Sequence, residues 1–410
     1  MLKSLRARIT GLPRELIIFI IASFAVGMAG SLVDSVFNNY LDADFALSGF
    51  QRSFLELPRE LPGFLVLFAA ALLWFLDSRR LGTISLVMTA IGIFLVGAFE
   101  HSYLSMILCV FVFSMGLHLF MPVATTIGME LAAEGRTAQR LGQFNAIRNL
   151  AVIVGSGLVY MGFKFLHFSF STTFIIAAVI YGTGALLVGL MKPSTVVNVH
   201  RREFVKLRKE YSLFYALSVL SGARKQIFMT FAPWVIVTIY NKPTQTIATL
   251  VLIGGVLGIL FQPLLGRLID KVGERVVLMS EAVLLVPVCL AYGFSGSVFS
   301  ENTAFFITCV CYLIDQMLMS VGMARSTYMK KIAMQSADIQ PALSAALSID
   351  HFFSIGVALI GGVIWNKLGF QYVFLFGVFI AIINFFTAMR VRVPKKEMPG
   401  NALPAPVELK

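Results

Sequence analysis

The chain has 410 residues, 58% of them hydrophobic and only 13% charged, with 33 Lys and Arg against 21 Asp and Glu for a net charge of +12. Together with a mean hydropathy of +0.84, this excludes a soluble domain, whose solvated surface needs about twice that charged fraction. The positive balance does not require nucleic acid, because roughly three quarters of the Lys and Arg fall on one side, at the termini and in alternate loops, as the positive-inside rule demands.

Apolar runs of bilayer-crossing length predict twelve helices, at 15–40, 49–76, 81–99, 103–128, 141–163, 170–191, 213–240, 245–265, 276–295, 303–324, 341–365 and 370–390. They are too long for the strands of a membrane barrel, so the fold class is an all-α, multi-pass membrane protein in contact with the lipid bilayer. The first run has no small-residue cleavage site and is expected to remain in the mature protein. An even number of spans puts both termini on one side, and the charge bias makes that side cytoplasmic. Cys109, Cys289, Cys309 and Cys311 all lie inside spans as small apolar residues, and no cofactor or metal spacing is present. Short loops without an Asn-x-Ser/Thr sequon favour a bacterial inner (cytoplasmic) membrane.

Span one carries Asp34. Span two opens with QRSFLELPRELPG, in which Arg52, Glu56, Arg59, Glu60 and Gly63 share an arc of roughly 100° while Pro58 and Pro62 lie off it. The i,i+3 and i,i+4 spacings let this stripe largely neutralise itself. Asp34 and Glu56 sit at a similar depth, so a pair from Asp34 to Arg59 or Arg52 is expected across the two helices. The stripe is either a structural ion-pair ladder or a proton-coupling site, with Glu56 the preferred titrating group. His118 in span four is either packed or part of a relay, and Arg148 in span five is a further embedded cation.

Span seven holds Arg224 and Lys225 with no acid of its own. Their candidate partners are Asp315 in span ten and Asp350 in span eleven, beside His351. Arg224 is read as an anion-binding residue or as half of a bridge to Asp350. Trp234 and the many Phe residues are read mainly as packing or lipid-facing groups.

The polar stretch KPSTVVNVHRREFVKLRKEY divides the spans six and six. It gives a first half at 1–191, a basic cytoplasmic linker at 192–212, a second half at 213–394 and a short tail at 395–410. The linker is either solvated or a basic amphipathic helix on the inner leaflet. The segments before spans six and twelve echo each other in glycine placement and bring Arg148 and Asp350 to equivalent positions. The loop GRLIDKVGERV at 266–276 is echoed more loosely by LWFLDSRRLG at 73–82.

Twelve spans in two halves, a basic central loop and Gly266-Arg267-x-x-Asp270-x-x-Gly273-x-Arg275 together resemble the major facilitator superfamily of secondary transporters, over essentially the whole chain. The resemblance implies two pseudo-symmetric six-helix bundles. It also implies that Gly266, Arg267, Asp270, Gly273 and Arg275, with Asp77 and Arg80 in the first half, form a cytoplasmic gate holding helix ends together.

The expected function is rocker-switch transport of a small organic anion such as a carboxylate, coupled to protons, by a monomer. Substrate contacts are expected from Arg224, Lys225, Arg148 and His118, and coupling or ion pairing from Asp34, Arg52, Glu56, Arg59, Glu60, Asp315, Asp350 and His351. A multidrug/proton antiporter is the alternative, although VIVGSGLVYMG in span five lacks the Pro of the efflux motif. A non-transporting receptor or scaffold is a third reading. No HExxH, Gly-x-Ser-x-Gly or P-loop occurs, which argues against an enzyme or a primary pump.

Overall fold

A computed structural model describes residues 13–73, 75–99, 102–132, 137–193 and 208–392. The tail at 395–410 and the amphipathic reading of the linker at 194–207 lie outside the described residues.

Every regular element among the described residues is helical. In chain order these are α1 (Arg14–Phe45), α2 (Gly49–Phe54), α3 (Glu56–Leu72), α4 (Ser78–Ala98), α5 (Tyr103–Glu130), α6 (Thr137–Phe165) and α7 (Phe170–Gly189). After a 3-10 turn at Lys209–Tyr211 follow α8 (Ser212–Thr238), α9 (Thr244–Val272), α10 (Glu274–Val298), α11 (Glu301–Met319), α12 (Gly322–Ile332), α13 (Ser336–Leu368) and α14 (Phe370–Ala388). Ten of the helical stretches described are long and apolar enough to cross a membrane. The α2–α3 pair and α8 are not among them, and they carry Arg52, Glu56, Arg59 and Glu60, and Arg224 and Lys225.

Local chemistry sets the boundaries. Ser48 opens α2 with a reciprocal capping box to Gln51, and Asp77 caps α4 by accepting from the N–H groups of Arg79 and Arg80. The break at Leu55 divides predicted span two three residues before Pro58, whose ring and missing N–H disrupt the preceding turn. Predicted span ten is likewise divided, at Ser320–Val321. Gly273 (φ 84°) and Gly369 (φ 107°) make the tight junctions α9–α10 and α13–α14, in backbone that an L side chain would strain.

Lipid tails are as apolar as leucine, so packing between helices rests on close fit. A Cβ at Gly92 would lie 2.3 Å from the Phe113 backbone nitrogen, and one at Gly116 2.4 Å from the Ser85 carbonyl, so glycine is what brings α4 and α5 together. Most of one core comes from α1 to α7 (Phe19, Leu32, Phe174, Tyr181). Two others come from the second half: Ile227, Phe231 and Tyr292 in one, Tyr211, Leu278 and Tyr328 in the other. Phe68, Leu104, Val179, Leu260 and Phe306 face outward and are exposed.

The halves meet unevenly. Away from the side where α1 starts, Asn39 donates to the Lys242 carbonyl at 3.0 Å and the Phe50 amide to Asn366 Oδ1 at 3.2 Å. Gly49 lies beneath Trp365 and Gly362 beneath Ser53. Midway, Phe64 meets Phe352 (5.7 Å between centroids) and Asn149 donates to Gln262 at 3.5 Å. Among the described residues, hydrogen bonds, ion pairs and ring contacts between the halves stop there.

Candidate functional site

Arg52 is fully buried, donating from Nη1 to Glu56 Oε1 at 2.5 Å and from Nε to Asn38 Oδ1 at 3.1 Å. Arg59 reaches the same Glu56 oxygen at 2.9 Å and lies over the Phe37 ring. The i,i+3 and i,i+4 pairs expected from the stripe are therefore made, and Glu56 is held between two guanidinium groups. Arg52 also approaches Trp234 of α8, its guanidinium carbon 6.0 Å from the ring centroid.

Glu60 departs from the stripe. Its Oε2 lies 2.6 Å from Nδ1 of His351 on α13, in a hydrogen bond across the two halves with both side chains buried. Gly63, one turn on, makes room: a Cβ there would lie 2.7 Å from the His351 ring. The His118 ring stands edge-on to His351 at 5.0 Å, and its Nδ1 is 2.9 Å from the Ser114 carbonyl. Two imidazoles and a carboxylate from α3, α5 and α13 thus share one interior point.

Arg224 does not bridge to Asp350. Its Nη2 is 3.0 Å from Asp315, its Nε is 3.9 Å from Glu281, and Arg325 meets the other Glu281 oxygen at 3.4 Å. With 3% of its side chain accessible, Arg224 is enclosed in a four-residue network of two cations and two anions. The correction has a physical reason: a second pair of opposite charges, Glu281 and Arg325, lies within reach, so burial of Arg224 is compensated inside the second half. Asp350 pairs instead with Lys225 at 2.8 Å, and both remain partly accessible.

Asp34 forms neither expected pair with Arg52 or Arg59. It is exposed into the interior, and Arg59, Tyr181 and Tyr312 are its electrostatic neighbours. Arg148 is likewise exposed and has no carboxylate partner among the described residues. The internal repeat appears in the packing: Arg148 of α6 lies against Gly27 of α1, and Asp350 of α13 against Gly222 of α8.

The gate expected at the helix ends is not formed as read. Arg267, Asp270 and Arg275 are exposed and make no ion pair among the described residues, and a Cβ at Gly266 would touch nothing there. Asp77 and Arg80 pair at 3.3 Å, but within the start of one helix, so they join nothing to a second. Buried neighbours hold the helix ends instead: Arg79 of α4 pairs with Glu130 of α5, and Glu274 of α10 with Lys331 of α12 at 2.6 Å. The two bridges join corresponding helices of the halves with their signs exchanged. Sequence reasoning passed over Arg79, Glu130, Glu274, Lys331, Glu281 and Arg325. Glu281 alone carried a signal, as an acid inside predicted span nine.

A family model described as Major Facilitator Superfamily matches residues 16–346. No curated protein matches the sequence. Among solved structures, the nucleoside transporter NupG aligns at 14% identity over 92% of this chain, once as a point mutant (TM-score 0.75, 99% of that chain) and once without the mutation (0.72, 98%). A POT family transporter in complex with a thioalcohol-conjugated peptide aligns at 13% identity, TM-score 0.70, over 92% of this chain and 95% of that one. At such identities the neighbours establish the fold alone.

Proposed function

Because the chain belongs to the Major Facilitator Superfamily, we propose that it is a proton-coupled secondary transporter of a small organic anion that works by alternating access to a central cavity. In this reading the helices make twelve crossings as two six-helix bundles, 1–191 and 213–394, tied by the linker 192–212. The protein works as a monomer in a cytoplasmic membrane with both termini inside, and the described state opens toward the cytoplasm.

The observation that carries the coupling is the Glu60–His351 pair, because it spans the two halves. In this reading the contact holds α3 against α13, and a proton moving through it changes that attraction and biases the halves toward another arrangement. His118, 5.0 Å from His351 between ring centroids, is the neighbouring site through which a proton can pass. Glu56 loses the preferred coupling role to Glu60, since its charge is shared between two arginines of its own segment.

For the substrate, the cation that supports an anion is Arg148, exposed and without a carboxylate partner among the described residues, with Lys225 beside it in role. Arg224 is assigned to structure. The exposed carboxylate of Asp34 favours a second reading, a substrate with a cationic group, which keeps the multidrug/proton antiporter in view. A thermal-shift panel on purified protein separates the two. The anion reading predicts stabilisation by small carboxylates, lost in Arg148→Ala and kept in Asp34→Asn. Stabilisation by lipophilic cations alone, lost in Asp34→Asn, overturns it in favour of efflux.

A further inference from the structure

Arg275, expected to hold helix ends together, is exposed at the start of α10 and faces a different company. It lines a cavity of about 460 Å³ with Arg390 and Arg392, just beyond the end of α14, and with Phe386 and Met389. None of the three arginines has a carboxylate within ion-pair distance among the described residues. The adjacent acid, Glu274, is 1% accessible and already bonded to Lys331. Three like charges around one cavity raise its potential and leave it short of an anion. α10 also starts at Gly273 without a side-chain cap, and its one first-turn acid, Glu274, is turned to Lys331.

The surroundings narrow the anion. The cavity lies where one membrane-length helix begins and another ends, the depth of a headgroup layer. Phe386 and Met389, 59% and 39% exposed, continue it along the apolar face of α14. We propose that the cavity binds the phosphate headgroup of an anionic phospholipid, with the guanidinium groups of Arg275, Arg390 and Arg392 on the phosphate oxygens and an acyl chain against Phe386 and Met389. Basic pockets between membrane helices suit this ligand because phosphate takes planar, two-point hydrogen bonds from arginine.

The test uses delipidated full-length protein in neutral detergent and follows its melting temperature during titration with phosphatidylglycerol, phosphatidylcholine or inorganic phosphate. Phosphatidylglycerol should stabilise the wild type at lower concentration than phosphatidylcholine. The triple variant R275Q/R390Q/R392Q should need about fivefold more for each arginine replaced, while R267Q, outside the cavity, should respond as wild type. If the triple variant does not purify in a single folded form, R392Q alone carries the test with a shift of about fivefold. Equal responses to the two lipids, or an unchanged response in the variants, overturns the proposal. So does stabilisation by inorganic phosphate as effective as that by lipid, which would assign the cavity to a soluble phosphate.

Discussion

At the residue scale the molecule separates enclosed charges from charges poised to move. Asp315 and Glu281 neutralise Arg224 and Arg325 inside the second half, and removing one partner strands a cation. Asp315→Asn is therefore expected to cost about 3–5 kcal/mol, read as a lowered melting temperature in detergent, whereas the double change Arg224→Met with Asp315→Leu recovers most of the loss. The Lys225–Asp350 pair is a quarter accessible at the lysine, so Asp350→Asn should cost about 1 kcal/mol or less in the same measurement. Stripe membership was legible from spacing alone for Arg52, Glu56 and Arg59. The partners of Arg224 were not, because the two candidate acids, Asp315 and Asp350, lay at plausible depths on separate helices, and only packing selects between them and brings in Glu281. Glu60 was legible as part of an arc, but its true neighbour is 291 positions away in sequence.

At the element scale, α2 and α13 form the contact that closes the cleft away from the termini. A Cβ on Gly362 would lie 1.8 Å from Ser53 Oγ, so Gly362→Ala should force these helices apart and shift the population toward an opening on that side. The expected readout is faster thiol labelling of a cysteine introduced at Ala248, which is buried in the described state against the core of the first half. Adding Ser53→Gly should slow it again. The helices themselves were readable from hydropathy, since apolar runs of this length have few alternatives. The division of span two at Leu55 was foreshadowed by Pro58 and Pro62, whereas the one at Ser320–Val321 has only the weaker cue of Gly322 beside it. Beside the loop motifs, the helix-end bridges of the described state are made by Arg79 and Glu274, the immediate neighbours of Arg80 and Arg275. A turn of 100° per residue sends neighbours to different faces, so a loop motif locates the bridge without naming its members.

At the scale of the whole molecule, the proposed function makes the uneven meeting of the halves and the Glu60–His351 pair parts of one device. If the pair biases which end of the cleft is closed, the two ends must move in opposition, and the proton must be the lever. Spin labels on exposed positions report this directly, in a background with Cys109, Cys289, Cys309 and Cys311 replaced by Ser. One pair, Arg80→Cys with Lys271→Cys, reports the terminal side, and the other, Gln51→Cys with Lys367→Cys, reports the opposite side. Distances measured by electron double resonance between pH 5 and pH 8 should change in opposite directions at the two ends. In Glu60→Gln both should become insensitive to pH. Distances that are fixed at both ends, that move in the same direction, or that keep their pH response in Glu60→Gln would contradict proton-driven alternation through this pair.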